Sequence, residues 1–174
     1  MEKYRYVSNV EEIKTYIGGS RVVAFDFETA PNANYRDEDK AALDPAKAHI
    51  VGCSFSVSEG TGIYVPIKHR TGKNIDEEEF FHFLRGFFTN REIIKVAHNL
   101  AFESAMAYAK LGIVIQEPVY DTICAAQMSL KNDYEFRSLT DSGLKKLACD
   151  ICEEKLPTFV DTTNGRHFDE LNAN

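Results

Sequence analysis

Residues 22–25 form an apolar run, Val22, Val23, Ala24 and Phe25, the pattern of a strand buried on both faces. Polar positions break it at Asp26 and Glu28, just before Thr29. Side chains two apart on a strand share a face, so the pattern predicts two carboxylates side by side at the strand's end. Ahead of it, residues 4–7 (YRYV) predict a short strand. Ser8 or Asn9 caps a helix VEEIKTYI, stopped by Gly18 and Gly19. Residues 31–49 are polar, with acids and bases alternating, and predict a long solvated flap. Residues 50–57 and 62–67 predict a hairpin around the turn SEGT. Asp76, with Glu79 at the capping-box position, opens a helix whose stripe is Phe80, Phe81, Leu84, Phe87 and Phe88. Residues 93–97 (IIKVA) predict the next buried strand, followed by a helix that Gly112 ends. Val119 and Tyr120 predict a short strand, followed by a helix from Asp121 and Thr122 to Leu130. Residues 139–152 predict a further helix or helix pair, and the tail beyond is polar.

Composition narrows the class. A chain of 174 residues, 44% hydrophobic and 27% charged, suits one soluble domain. No apolar run approaches the ~20 residues of a membrane span. The N-terminus lacks a signal-peptide core, so a cytoplasmic location is expected. Cys53, Cys124, Cys149 and Cys152 are expected to be reduced core thiols; Cys149 and Cys152 share a helix face, which favours packing over a metal or redox element. The formal charge of −7 argues against nucleic-acid binding through the overall field. Affinity for such a substrate would need metal ions, a local groove or an attached domain. The one local basic cluster, Lys68, His69, Arg70 and Lys73, reads as a solvated loop ahead of a phosphate contact.

Two adjacent carboxylates at the edge of an apolar sheet repel and lose hydration. Oxygen-only ligands close together suit a hard divalent cation. Taken singly, D-x-E is a common accident. Two further polar signals, however, sit at the ends of successive strands: His98 to Glu103 (HNLAFE) and Tyr120-Asp121-Thr122. Open α/β sheets bind ligands at the carboxyl ends of their strands.

With these residues in place the chain resembles the DEDD (DnaQ-like) 3′→5′ exonuclease superfamily. The nearest branch is the proofreading exonuclease domain of bacterial and phage family A DNA polymerases. Asp26, Glu28 and Thr29 match the first exonuclease motif, Asn99 through Glu103 the second, and Asp121-Thr122 the strand-to-helix step that follows. Gly52, Ser54, Tyr64, Pro66 and His69 match the hairpin of the polymerase-attached branch, as does GLKKLA at residues 143–148. The resemblance spans residues 4–171.

It implies an α/β, ribonuclease H-like fold: a mixed five-stranded sheet with the 21–27 strand central and helices on both faces. It implies two-metal hydrolysis of the terminal phosphodiester at a single-stranded DNA 3′ end, with two Mg²⁺ or Mn²⁺ ions. Asp26, Glu28 and Glu103 would be the catalytic metal ligands, and Thr29 and Asn99 would contact the last nucleotide. Asp121 suits helix capping, and His98 a packing or orienting role. Glu103 stands where much of the family has aspartate. The third motif, a tyrosine four residues before an aspartate on a closing helix, has no match: Tyr134 has no such aspartate, and His167 is followed by Asn172 at the family's alternative spacing. Residues 1–174 are therefore expected to be a single exonuclease domain cut short of its closing helix, with a polymerase domain in cis beyond it. The alternatives are a ribonuclease D-like exoribonuclease, or a catalytically incomplete nucleic-acid-binding module.

Overall fold

The computed structural model describes residues 4–130 and 142–173. Its frame is a mixed six-stranded sheet in the order β1-β4-β3-β2-β5-β6. The strands are β1 (Tyr4–Tyr6), β2 (Val22–Pro31), β3 (Ala48–Ser56), β4 (Gly62–Pro66), β5 (Ile94–Ala97) and β6 (Val119–Asp121). The hairpin β3–β4 runs antiparallel beside β2, while β5 and β6 lie parallel on its other side. That is the expected arrangement with a sixth strand added: β1 pairs in parallel with the outer edge of β4.

Strand β2 alternates along most of its length. Val23, Phe25 and Phe27 are buried, and Ala24, Asp26 and Glu28 are half-buried on the other face. The expectation of a strand buried on both faces is thus corrected, because the second face is only partly covered. On the first face, Phe25 and Phe27 meet the stripe of α2 (Glu77–Thr89). The rings of Phe25 and Phe88 are 5.0 Å apart and those of Phe27 and Phe88 6.0 Å, edge to face. Helices α1 (Val10–Ile17) and α3 (Leu100–Leu111) join the same cluster through Ile13, Ile17, Met106 and Leu111.

The expected caps hold α1 and α2. Asn9 accepts from Glu11 N–H at 2.8 Å and Asp76 from Glu79 N–H at 2.9 Å. Helix α3 ends at Gly112, whose φ of 64° is the left-handed conformation that glycine adopts without cost. Among the described residues, further α-helices follow: α4 (Thr122–Leu130), α5 (Leu144–Cys152) and α6 (Phe159–Thr163). Residues 139–141 of the helix predicted over 139–152 lie outside the described residues, as does Tyr134.

On the second face of the sheet Thr122 and Leu144 are the reach of α4 and α5. They help line a cavity of about 580 Å³ with Tyr4, Tyr6, Ala24 and Asp26. Tyr4 and Tyr6 stay 69% and 56% exposed, so coverage on this side is partial among the described residues. The cysteine expectation is also corrected. All four thiols are free, but only Cys53 is in the core, and Cys124, Cys149 and Cys152 are exposed.

Candidate active site

The carboxyl end of β2 is where strand order and packing bring the predicted acids together. Asp26 and Glu28 share the face of Ala24, with Ser54 and Gly52 opposite them on β3. The register slips between Glu28 and Thr29, where β3 carries one extra residue. Such a bulge re-aims the chain beyond it, and Thr29, Ala30 and Pro31 are all buried. Glu103 arrives from the first turn of α3. The parallel ladder between β2 and β5 ends at Ala24 and Val96, so Phe27 N–H has no strand partner on that side. It donates instead to Glu103 Oε2 at 3.1 Å. Glu103 is 2% exposed, and this bond fixes it beside Asp26 and Glu28, the residues that flank Phe27.

Burial and crowding of like charge dominate the electrostatics. Burial pushes the Asp26 carboxyl up to about 6. Glu28 rises to about 8, through burial first and the charge of Asp26 second, against the opposing ammonium of Lys145. Glu103 rises to about 9, through burial and then Asp26, while the Phe27 N–H acts the other way. Among the described residues no Lys, Arg or His forms an ion pair with any of the three. Nor do any three His, Cys, Asp or Glu side chains among them close around one point as a finished metal cage. The charge of Asp26 raises the pKa of both glutamates, and Glu28 that of Glu103. Oxygen-only, with Glu103 buried, Asp26 and Glu28 half-buried and no ion-pair partner for any of them among the described residues, this donor set fits a hard divalent cation.

Around the acids the structure assigns each remaining candidate a place. Thr29 is buried and its hydroxyl donates to the Ala42 carbonyl at 2.7 Å. That bond ties residues 41–43 to the strand end, so any nucleotide contact there falls to the Thr29 backbone. Asn99 is exposed at the N-cap of α3, with φ of 70° and no capping bond from its side chain. Asp121 accepts from the N–H groups of Asn99 (3.1 Å), Leu100 (2.9 Å) and Ile123 (2.9 Å). It thus caps α4 as expected, and α3 as well. Thr122 donates its hydroxyl to the Ala97 carbonyl at 3.3 Å and accepts from His98 Nδ1 at 2.8 Å, an orienting contact.

The hairpin contributes something the sequence did not show. Tyr64 leans over Gly52, where an added Cβ would come within 2.0 Å of the phenol oxygen. Its hydroxyl donates to His69 Nε2 at 2.7 Å, and His69 Nδ1 donates to the Leu171 carbonyl at 3.0 Å. Gly52, Tyr64 and His69 all stand in the sequence match to the polymerase-attached hairpin; only their contacts come from the fold. In the basic cluster Lys68, Arg70 and Lys73 are exposed, as expected of a solvated loop, but His69 is buried, and Lys68 pairs with Glu77 at 2.6 Å and Arg70 with Asp169 and Glu170, both at 3.2 Å.

A mixed sheet with the hairpin on one side of its central strand and parallel strands on the other is the ribonuclease H-like fold. Within that fold the chain belongs to the 3′-5′ exonuclease family, whose profile matches residues 4–161. It is 31% identical over 133 residues to DNA polymerase I of Chloroflexus aurantiacus, a match covering 75% of this chain and 13% of that protein. DNA polymerase I of Pseudomonas aeruginosa is 26% identical over 108 residues, 60% of this chain and 11% of that one. The chain therefore spans about an eighth of the length of these relatives. Among solved structures, Brucella melitensis NrnC with bound Mg²⁺ superposes with a TM-score of 0.58 at 19% identity, over 89% of this chain and 63% of that one. Trypanosoma brucei RNase D in complex with RNA superposes with a TM-score of 0.63 at 18% identity, over 91% and 50%. At such identities these last two speak for the fold alone. Among the described residues no helix is long and apolar enough to cross a membrane.

Proposed function

We propose that the chain is the proofreading-type 3′→5′ exonuclease domain of a DNA polymerase, hydrolysing the terminal phosphodiester of single-stranded DNA with two Mg²⁺ or Mn²⁺ ions. The observation that carries this is the convergence of Asp26, Glu28 and Glu103, uncompensated by any cation pair, at one corner of the sheet. DNA is favoured over RNA because the sequence relatives are DNA polymerases. Bound ions would activate the attacking water and stabilise the attacking and leaving oxygens. Asp26 and Glu28 would hold them from β2 and Glu103 from α3. Asn99, exposed beside Glu103, offers its amide to the terminal nucleotide, and Thr29 offers backbone groups. Asp121 keeps α3 at the angle that delivers Glu103. Location in the cytoplasm, beside a polymerase domain in cis, accords with the same relatives.

The test is incubation of the protein with matched 5′-labelled single-stranded DNA and RNA and Mg²⁺. A ladder of 3′-shortened DNA, lost in Asp26→Ala, is expected from a chain extended past residue 174, with residues 1–174 alone cutting poorly. Faster shortening of the RNA would move the substrate to the ribonuclease D-like alternative. Binding of DNA without cleavage, in a chain extended past residue 174 as well, would leave only the nucleic-acid-binding module.

A further inference from the structure

Tyr64 stands on the carboxylate face of the sheet. Residues directly opposite one another in neighbouring strands share a face, and Tyr64 is opposite Ser54, which is opposite Asp26. Tyr64 accordingly lines the same cavity as Asp26. Two residues along β2, Glu28 is opposite Gly52. The phenol oxygen of Tyr64 fills the space a Gly52 side chain would take, 2.0 Å from where its Cβ would lie. Opposite residues of an antiparallel pair hold their Cβ positions about 5 Å apart, so the phenol oxygen takes the place of the side chain that would face Glu28. The ring is held there edge-on to Tyr6 and to His69, each with centroids 5.7 Å away.

The direction of the phenol proton is set from the far end of a chain of bonds. His69 Nδ1 lies 3.0 Å from the Leu171 carbonyl, which can only accept, so Nδ1 carries the ring proton. Burial lowers the pKa of His69 and keeps its ring uncharged at neutral pH and above. Nε2 is then an acceptor, and the Tyr64 hydroxyl donates to it at 2.7 Å. The phenol is left with only lone pairs for Glu28. A hydroxyl free to turn would donate to the carboxylate in a charge-assisted hydrogen bond, and a cation would have to break that bond to use the same oxygen.

Resting on the exonuclease reading above, we infer that Tyr64 and His69 are positioning residues of the metal site. His69, anchored on Leu171, holds the Tyr64 proton away from Glu28 and so leaves the Glu28 carboxylate open to a divalent cation. Neither residue is itself a ligand. The anchor makes metal affinity depend on the docking of a carbonyl 102 residues along the chain from His69.

The experiment is calorimetric titration of Mn²⁺, without DNA, into wild type, His69→Phe, Tyr64→Phe, the variant carrying both substitutions, and Asp26→Ala. Melting temperatures in EDTA are recorded alongside. His69→Phe keeps a ring but frees the phenol proton, and is expected to bind Mn²⁺ about 10-fold more weakly, the order of one charge-assisted hydrogen bond. Removing the hydroxyl as well is expected to restore most of that affinity, although the double variant melts no higher than His69→Phe. A purely structural role gives the opposite order, with the double variant the weakest binder. Tyr64→Phe alone is expected to bind Mn²⁺ no more weakly than wild type; weaker binding would show the hydroxyl supporting the site as a donor and overturn the inference, even if His69→Phe failed to fold. Unchanged affinity in His69→Phe, or no recovery in the double variant, would also overturn it. The exonuclease reading would survive those outcomes provided that Mn²⁺ binding is lost in Asp26→Ala. Absence of Mn²⁺ binding in wild type would overturn both.

Discussion

At Asp26, Glu28 and Glu103 three acids hold their protons more tightly in the folded chain than free in water, with values of about 6, 8 and 9 against 3.8 and 4.5. A folded-state pKa above the unfolded one contributes stability that is full below the unfolded value and is lost as pH climbs through the folded one. In EDTA, therefore, the melting temperature is expected to fall as pH rises from about 4.5 toward about 9, and Asp26→Asn should flatten the fall. A flat profile in wild type would show that these acids are not buried against one another. Mn²⁺ should reverse the loss, most at the alkaline end where the acids are charged, and Asp26→Ala should abolish its effect. Glu103 has a second duty, accepting from Phe27 N–H. Glu103→Asp should keep more exonuclease activity than Glu103→Gln, since only the former stays an anionic ligand; equal rates would remove Glu103 from the ligand set.

At the scale of elements, the hairpin and the segment after β2 do more than complete the sheet. Gly52 sits across from Glu28, and its missing side chain makes room for Tyr64. In a strand, alanine would ordinarily restrict the unfolded chain and help. Here a Cβ 2.0 Å from the phenol oxygen must displace Tyr64 and break its bond to His69. Gly52→Ala is expected to cost about 1–3 kcal/mol, the range of overpacking, read as a melting temperature lower by about 2–4 °C per kcal/mol. Unchanged or raised stability would contradict the contact. Residues 31–49 read as a solvated flap because their acids and bases alternate. One of those charges anchors them, Arg36 reaching Asp169 and Glu170, while Lys47 lies 5.6 Å over the Tyr35 ring within the segment.

Across the whole molecule the polar tail is a clasp. Asp169 is 4% exposed between Arg36 and Arg70, Arg70 N–H donates to the Asp169 carbonyl at 2.8 Å, and Ala173 N–H to the Thr71 carbonyl at 2.9 Å. With the Leu171–His69–Tyr64 bonds it joins residues 167–173 to the hairpin that flanks the acids. Because the third exonuclease motif has no match in residues 1–174, this chain alone is expected to cut single-stranded DNA poorly. A longer polypeptide supplying that tyrosine and aspartate should cut faster by about 10²-fold or more, the order of loss when a reacting group is misplaced by ~1 Å. Comparable rates, abolished by Asp26→Ala, would show that the site is complete as it stands.

The sequence by itself determined the frame. Alternating and β-branched runs set the strands, Asn9, Asp76 and Gly112 set helix ends, and the order of D-x-E, HNLAFE and YDT set the family and pointed to the candidate acids. These signals are local, or depend only on spacing along the chain, so they survive without coordinates. What tertiary structure decided was partnership. That Glu103 satisfies Phe27 N–H follows from where the β5 ladder stops, and that Arg70 serves Asp169 from where a tail 99 residues away docks. The charge of a residue is written in the chain, but whether it is spent on a neighbour or left for a ligand depends on distances that only the fold sets.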